Sequence, residues 1–255
     1  MKITRKDFLR VSGFGLLAAG AKKLVSAFAI ETGTALDTSA TATPRWAMVV
    51  DFRKCRDDAG CTDCLAACKR AHNIPDIAER AHEVKWLWKE RFENVFPLDD
   101  TEFTRQAFRG HPLPVLCNHC AEPACTRVCP TQATWKREDG IVMMDWHRCI
   151  GCRYCMAACP YGSRSFNWSD PRPHITQVNP DFPTRTKGVV EKCNFCEERL
   201  ANRQPPACVE ACREKALVFG DLNDAASAVR QLLRRRFSIQ RRPELGTRPA
   251  VYYLV

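Results

Sequence analysis

Cys149-Ile150-Gly151-Cys152-Arg153-Tyr154-Cys155-Met156-Ala157-Ala158-Cys159-Pro160 sets four cysteines two, two and three residues apart and closes on a proline. Three thiolates this close together on a loop wrap three corners of a four-iron cubane. The fourth, one helical turn past the third, points elsewhere and reaches the other cluster of a pair. Pro160 closes the run because it cannot continue a helix. The stretch therefore predicts half of a two-cluster iron-sulfur unit and calls for a second half with the same exchange element.

That second half lies upstream. Cys117, Cys120, Cys125 and Cys129, followed by Pro130, repeat the pattern with two extra residues between the second and third cysteines. Between the runs, residues 133–135 and 141–144 flank Arg137-Glu138-Asp139-Gly140, which predicts a short hairpin with a Gly-bearing turn. Residues 111–168 thus read as one complete bacterial-ferredoxin-like unit. Sixteen cysteines fall into four such sets of four, and the outer eight read as a second unit cut open by the first. Cys55, Cys61, Cys64 and Cys68 follow an apolar strand over 46–52, whereas Cys193, Cys196, Cys208 and Cys212 precede another over 216–219.

Every half ends in Cys-x3-Cys, so fourth ligands are expected to cross over. One cluster takes Cys55, Cys61, Cys64 and Cys212, and its mate takes Cys193, Cys196, Cys208 and Cys68. The inner pair takes Cys117, Cys120, Cys125 with Cys159, and Cys149, Cys152, Cys155 with Cys129. The predicted fold is α+β: two bacterial-ferredoxin-like units, the inner one (111–168) inserted into the outer (45–110 and 169–222), with loop-rich extensions and a C-terminal segment at 223–255. No ligand position departs from cysteine, so all four clusters are expected to be one-electron [4Fe-4S] centres.

Other thiol chemistry fits less well. Structural zinc usually shows two Cys-x2-Cys pairs about 12 to 20 residues apart, a pattern approached only by the last tetrad. Disulfide frameworks belong to shorter secreted chains and leave the proline-terminated runs unexplained. Haem c needs Cys-x2-Cys-His, and no pair here is followed by His.

The chain has 255 residues and a formal net charge of +10. Half of that excess, a net of +5, sits in residues 1–29. Four thiolate-bound cubanes at about −2 each would outweigh the rest, so the basicity gives no reason to expect a nucleic-acid partner. Residues 1–29 show a basic start, an apolar stretch from Val11 to Ala21 and the small-x-small site Ala27-Phe28-Ala29, the layout of an export signal. The apolar stretch is too short to span a bilayer, which needs about 20 residues, so no transmembrane helix is expected. Thr4-Arg5-Lys6-Asp7-Phe8-Leu9-Arg10 resembles the twin-arginine signal, with Lys6 in place of the second arginine. Export in the folded state suits a protein whose clusters are inserted in the cytoplasm. Residues 30–44, rich in Thr, Ala and Ser, read as a linker.

His119, within the second tetrad, reads either as loop surface or as a hydrogen-bond donor to cluster sulfur. Trp86 and Trp88 alternate over 84–88, which predicts a strand with one buried face. A helix is expected over 224–233, capped by Asn223, with Arg234-Arg235-Arg236 and Arg241-Arg242 as a solvated basic face after it. No nucleophile-base arrangement, carboxylate pair or phosphate loop stands out, so no catalytic site is expected on this chain.

The four tetrads resemble the four-cluster ferredoxin-like subunits that wire membrane quinone proteins or molybdenum enzymes, as in polysulfide, tetrathionate, nitrite and dimethyl sulfoxide reductase systems. Cys117-Asn-His-Cys120, 137–144, 159–168, 182–193 and the tail Pro243-Glu-Leu-Gly-Thr with Tyr252-Tyr253 resemble the members that serve sulfite-reductase-linked membrane complexes of sulfate reducers and sulfur oxidisers. The resemblance implies a periplasmic electron-transfer subunit. It further implies a multi-span quinone-binding membrane subunit, a multihaem cytochrome c and additional subunits as partners. The family also contains the wiring subunits of extracytoplasmic molybdenum reductases, which share all four tetrads.

Overall fold

The computed structural model describes residues 43–51, 53–55, 60–108 and 110–255, so the export segment expected at 1–29, and all but the end of the linker, lie outside the described residues. In chain order the strands are β1 (Trp46–Asp51), β2 (Leu87–Arg91), β3 (Pro112–Leu116), β4 (Thr134–Lys136), β5 (Val142–Met144), β6 (Ser165–Phe166), β7 (Val190–Glu191), β8 (Leu217–Asp221), β9 (Ser238–Ile239) and β10 (Val251–Leu254). The helices are α1 (Asp63–His72), α2 (Phe92–Val95), α3 (Glu102–Phe108), α4 (Ala124–Arg127), α5 (Tyr154–Ala157), α6 (Glu197–Ala201), α7 (Ala207–Glu210) and α8 (Ala228–Arg235).

β1 is apolar almost throughout because both of its faces are covered. Ala47 and Val49 pack with Val229 of α8 and Leu254 of β10, while Met48 and Val50 turn toward the main core that holds Cys64, Cys68, Cys193 and Cys208. The sheet order is β8-β1-β10-β9. β8 runs antiparallel to β1, with Trp46 opposite Asp221 and Val50 opposite Leu217. These are the two strands expected to flank the outer tetrads, and their pairing brings the two stretches together.

The C-terminal segment is woven into the same sheet. β10 pairs parallel with β1, Met48 opposite Val251, and α8 covers one face. α8 starts four residues later than expected, with Ser227 at its N-cap position but making no side-chain capping hydrogen bond. Asp224 explains the delay, because its carboxylate accepts the Ala226 N–H at 2.8 Å and its carbonyl that of Ser227, a local turn that competes with helix. Asn223 donates to the Thr43 carbonyl instead of capping the helix. The basic stretch also departs from expectation: Arg236 pairs with buried Asp51, and Arg241 is buried over the Tyr161 ring, so only Arg234, Arg235 and Arg242 stay solvated.

In the inner region β4 and β5 form the expected hairpin, Thr134 opposite Met144. Gly140 takes φ +86° there, a conformation that suits glycine, and donates to the Arg137 carbonyl at 3.1 Å. The strand expected over 84–88 lies three residues later, as β2 paired with β3. Lys85 is held instead by Ser165, whose hydroxyl accepts its N–H at 2.8 Å.

Inner and outer regions meet at a buried polar joint. Arg185 and Glu191 pair at 2.7 Å with both side chains fully buried. Arg185 also donates to the carbonyls of His72 and Asn73 at the end of α1. Glu191, on β7, accepts from Trp86 at 3.0 Å and from Asn167, while β7 itself pairs with β6. Trp86, Trp146 and Phe182 surround the guanidinium at 5.5 to 5.8 Å. Trp86 is thus core, as its alternation with Trp88 suggested, and it is also a hydrogen-bond donor.

Candidate iron-sulfur centres

The same local device places all four tetrads. The third cysteine lies in the first turn of a helix: Cys64 on α1, Cys125 on α4, Cys155 on α5 and Cys208 on α7. The fourth follows one turn later: Cys68 still within α1, and Cys129, Cys159 and Cys212 just past their helices. Between the first two cysteines of each set lies a left-handed residue, namely Gly60, His119, Gly151 and Phe195. Only glycine fits at 151, because φ is +71° and a Cβ would stand 2.4 Å from the Gly188 carbonyl oxygen.

The thiols gather across the tetrads. Cys55, Cys61, Cys64 and Cys212 line one small cavity, and Cys68 is not among its lining residues. Cys117, Cys120, Cys125 and Cys159 line another, and Cys129 is not among its lining residues. Burial, then the neighbouring Cys68, Cys196 and Cys193, push the Cys208 thiol up. Cys129, Cys149 and Cys155 share a fourth cluster of side chains with Ala133, Met144 and Val190, against which Cys125 also packs, and Cys152 is exposed. Neighbouring groups also sense one another: Cys64 acts on Cys208, Cys117 on Cys193, and Cys125 on Cys155. The groups of Cys64 and Cys208, of Cys193 and Cys117, and of Cys125 and Cys155 are therefore neighbours in turn.

Three observations test whether iron-sulfur clusters suit these groups. First, all sixteen cysteines are free thiols, and burial together with the neighbouring cysteines pushes Cys64 and Cys120 up to about 12. Such crowding is unfavourable for thiolates unless metal cations draw them together. Secondly, backbone N–H groups already donate to the sulfurs: Phe195 to Cys193 and Ala207 to Cys196 at 3.4 Å, and Ala216 to Cys212 at 3.3 Å. Thirdly, the buried Asn118 amide has no hydrogen-bond partner and the residue lines the Cys117 cavity, so a cluster held there would supply an acceptor for it. The residues fit four-iron clusters. A zinc ribbon made from the last tetrad alone does not fit, because Cys212 belongs to the cavity of Cys55.

His119 is not loop surface. It is 1% exposed, stacks on Phe195 at 3.7 Å, and accepts the Val142 N–H on Nδ1 at 3.1 Å. Burial, with Lys192 and Arg164 nearby, holds its pKa well below the usual value. With Nδ1 accepting, the neutral ring carries its proton on Nε2. His72 borders the second outer group: Nδ1 lies 3.0 Å from the Cys68 carbonyl and Nε2 2.8 Å from Glu198.

Sequence reasoning missed Arg164 and Lys192. Arg164 donates to the Cys125 sulfur at 3.0 Å, and Lys192 is buried beside Cys193. The available signal was position, a basic residue five places after Cys159 and another immediately before Cys193.

Sixteen cysteines in four groups, set in a small α+β scaffold, define an iron-sulfur electron carrier, and its cofactors are four [4Fe-4S] clusters. The 4Fe-4S dicluster domain family matches residues 109–174 and 179–222. Across 229 residues, 82% of each chain, the protein is 42% identical to the Hdr-like menaquinol oxidoreductase iron-sulfur subunit 1 of Archaeoglobus fulgidus. It is 38% identical over 237 residues to the iron-sulfur cluster-binding subunit of menaquinone reductase of Nitratidesulfovibrio vulgaris, covering 82% of this chain and 88% of that one. A tetrathionate reductase subunit of Salmonella typhimurium is 34% identical over 260 residues, covering 100% of this chain and 89% of that one. The chain belongs to this family of 4Fe-4S dicluster iron-sulfur subunits. Among the described residues no helix is long and apolar enough to cross a membrane.

Proposed function

We propose that this chain is the electron-wiring subunit of a quinone-linked membrane oxidoreductase of sulfur metabolism, of the DsrO type. It relays single electrons between a multi-span quinone-binding membrane subunit and a multihaem cytochrome c, and has no catalytic site of its own. Each cubane is held by the crossed sets: Cys55, Cys61, Cys64, Cys212; Cys193, Cys196, Cys208, Cys68; Cys117, Cys120, Cys125, Cys159; and Cys149, Cys152, Cys155, Cys129. The observation that carries the quinone link is the 42% identity to a menaquinol oxidoreductase iron-sulfur subunit over 82% of both chains. The Arg5, Phe8 and Leu9 signal adds a periplasmic location reached by folded export.

A second reading has its own support. Full-length similarity to a tetrathionate reductase subunit, at 34% identity, favours the wiring subunit of an extracytoplasmic molybdenum reductase. Purifying the native complex from fractionated cells separates the two. A quinone-binding membrane subunit with a multihaem cytochrome, on the outer face of the membrane, is the expected result. A molybdopterin subunit would replace the first reading with the second, and a chain found soluble in the cytoplasm would overturn the location.

A further inference from the structure

Three cations are buried with no carboxylate partner among the described residues: Arg241, over the Tyr161 ring, and Arg164 and Lys192, beside the cluster thiols. Arg164 is 5% exposed and Lys192 1%, and among the described residues neither has an acidic partner, whereas Arg185 has Glu191. An unpaired buried cation is costly unless an anion lies close by. The anions available here are the thiolate-ligated clusters.

Arg164 and Lys192 each stand between two centres. Arg164 Nη2 donates to the Cys125 sulfur at 3.0 Å and to Thr134 Oγ1 at 2.9 Å, and the guanidinium also acts on Cys155 of the next centre. Lys192 Nζ donates to the carbonyls of Val142 and Cys193, and while burial pulls its pKa down, the Cys117 and Cys193 thiols act in the opposite direction. The centre of Cys117, Cys120, Cys125 and Cys159 is therefore within reach of both cations, the centres of Cys149 and Cys193 of one each. Lys89, at the Cys55 cavity, is only half-buried, and solvent weakens its effect.

Reduction adds one electron to a centre, forming and breaking no bond. A fixed cation in a poorly polarisable interior stabilises that added negative charge and so raises the reduction potential. We propose that Arg164 and Lys192 together make the Cys117 centre the highest in potential of the four, an electron sink with the Cys193 and Cys149 centres as its neighbours. This rests on the four-centre relay reading above. Both residues act by positioning charge and neither touches a substrate.

The test is a redox titration of the loaded chain followed by electron paramagnetic resonance, each signal assigned by replacing one ligand per centre, with iron and zinc counted in the same sample. Zinc in place of iron, or fewer than four reducible centres at full occupancy, overturns the relay reading. Four reducible centres, of which the first reduced is not that of Cys117, overturn this proposal alone. Arg164→Gln is expected to shift the redox equilibrium of the Cys117 and Cys149 centres at least about ten-fold toward the oxidised form, about 59 mV for a one-electron couple. Lys192→Met is expected to do the same at the Cys117 and Cys193 centres, with the Cys55 centre unmoved by either change. Arg164→Lys keeps the charge and restores most of the shift. Equal shifts at all four centres, or none, contradict the proposal. Should the neutral variants lose iron, the unmodified protein grown with heavy-nitrogen arginine carries the test: the first centre reduced shows coupling to an arginine nitrogen, and absence of that coupling overturns the assignment.

Discussion

The inner and outer pairs of tetrads share the Cys-x3-Cys element and the helical turn between third and fourth cysteines, yet different contacts hold them. The inner pair is local: its eight cysteines fall between Cys117 and Cys159 and share the β4–β5 hairpin. The outer eight cysteines come from two distant stretches, Cys55–Cys68 and Cys193–Cys212. Pairing of β1 with β8, and of β1 with β10 from the end of the chain, holds them together. Closing the intervening loop costs little extra, because loop entropy grows only with the logarithm of length and a folded body fills the gap. Spacing therefore encodes the cluster chemistry in both regions, while only the outer one depends on distant strands.

The largest expected effect comes from breaking the joint between the two. Arg185→Met leaves Glu191 buried without its cation, a loss of about 3–5 kcal/mol. Arg185 is anchored to the end of α1, which carries Cys68, so the Cys193 centre should lose iron first while the inner pair stays loaded. Iron per chain, measured during a urea series, checks this, and equal loss from all four centres would contradict the contrast between local and long-range assembly.

A smaller change sharpens the comparison from the inner side. Gly151→Ala forces a Cβ to 2.4 Å from the Gly188 carbonyl at φ +71°, a cost of about 1–3 kcal/mol. The spectroscopic signal of the Cys149 centre should weaken alone, and a matching loss at the Cys55 centre would show that the two regions do not fold with separate local demands. The least effect is expected at Arg153, exposed and stacked over Trp168 at 4.7 Å and Phe166 at 5.4 Å. Arg153→Ala should cost about 0.5–1 kcal/mol in thermal stability and leave all four potentials in place.

The cysteine pattern made the thiol groups legible because a cubane demands three ligands on one loop and a fourth a helical turn away. The hairpin was legible through Gly140, and β1 and β8 through their apolar runs. Residues whose role comes from packing between distant segments were not. Lys85 meets Ser165 eighty residues away, so β2 starts later than alternation suggests. The Asp224 side chain delays α8. His119 looked like loop surface because a histidine between cysteines carries no burial signal, and only the stack on Phe195 puts it inside. Arg164 and Lys192 read as ordinary charges in sequence, since the anions that justify burying them are cofactor-bound thiolates.

The crossed ligation is tested most directly by locating iron in crystals of the loaded protein from its anomalous scattering. About sixteen iron atoms in four groups are expected. The sulfur of Cys68 should bind the group held by Cys193, Cys196 and Cys208, and that of Cys212 the group held by Cys55, Cys61 and Cys64. If Cys68 instead shares iron with Cys55, Cys61 and Cys64, the tetrads are local and the interlocked outer unit is wrong.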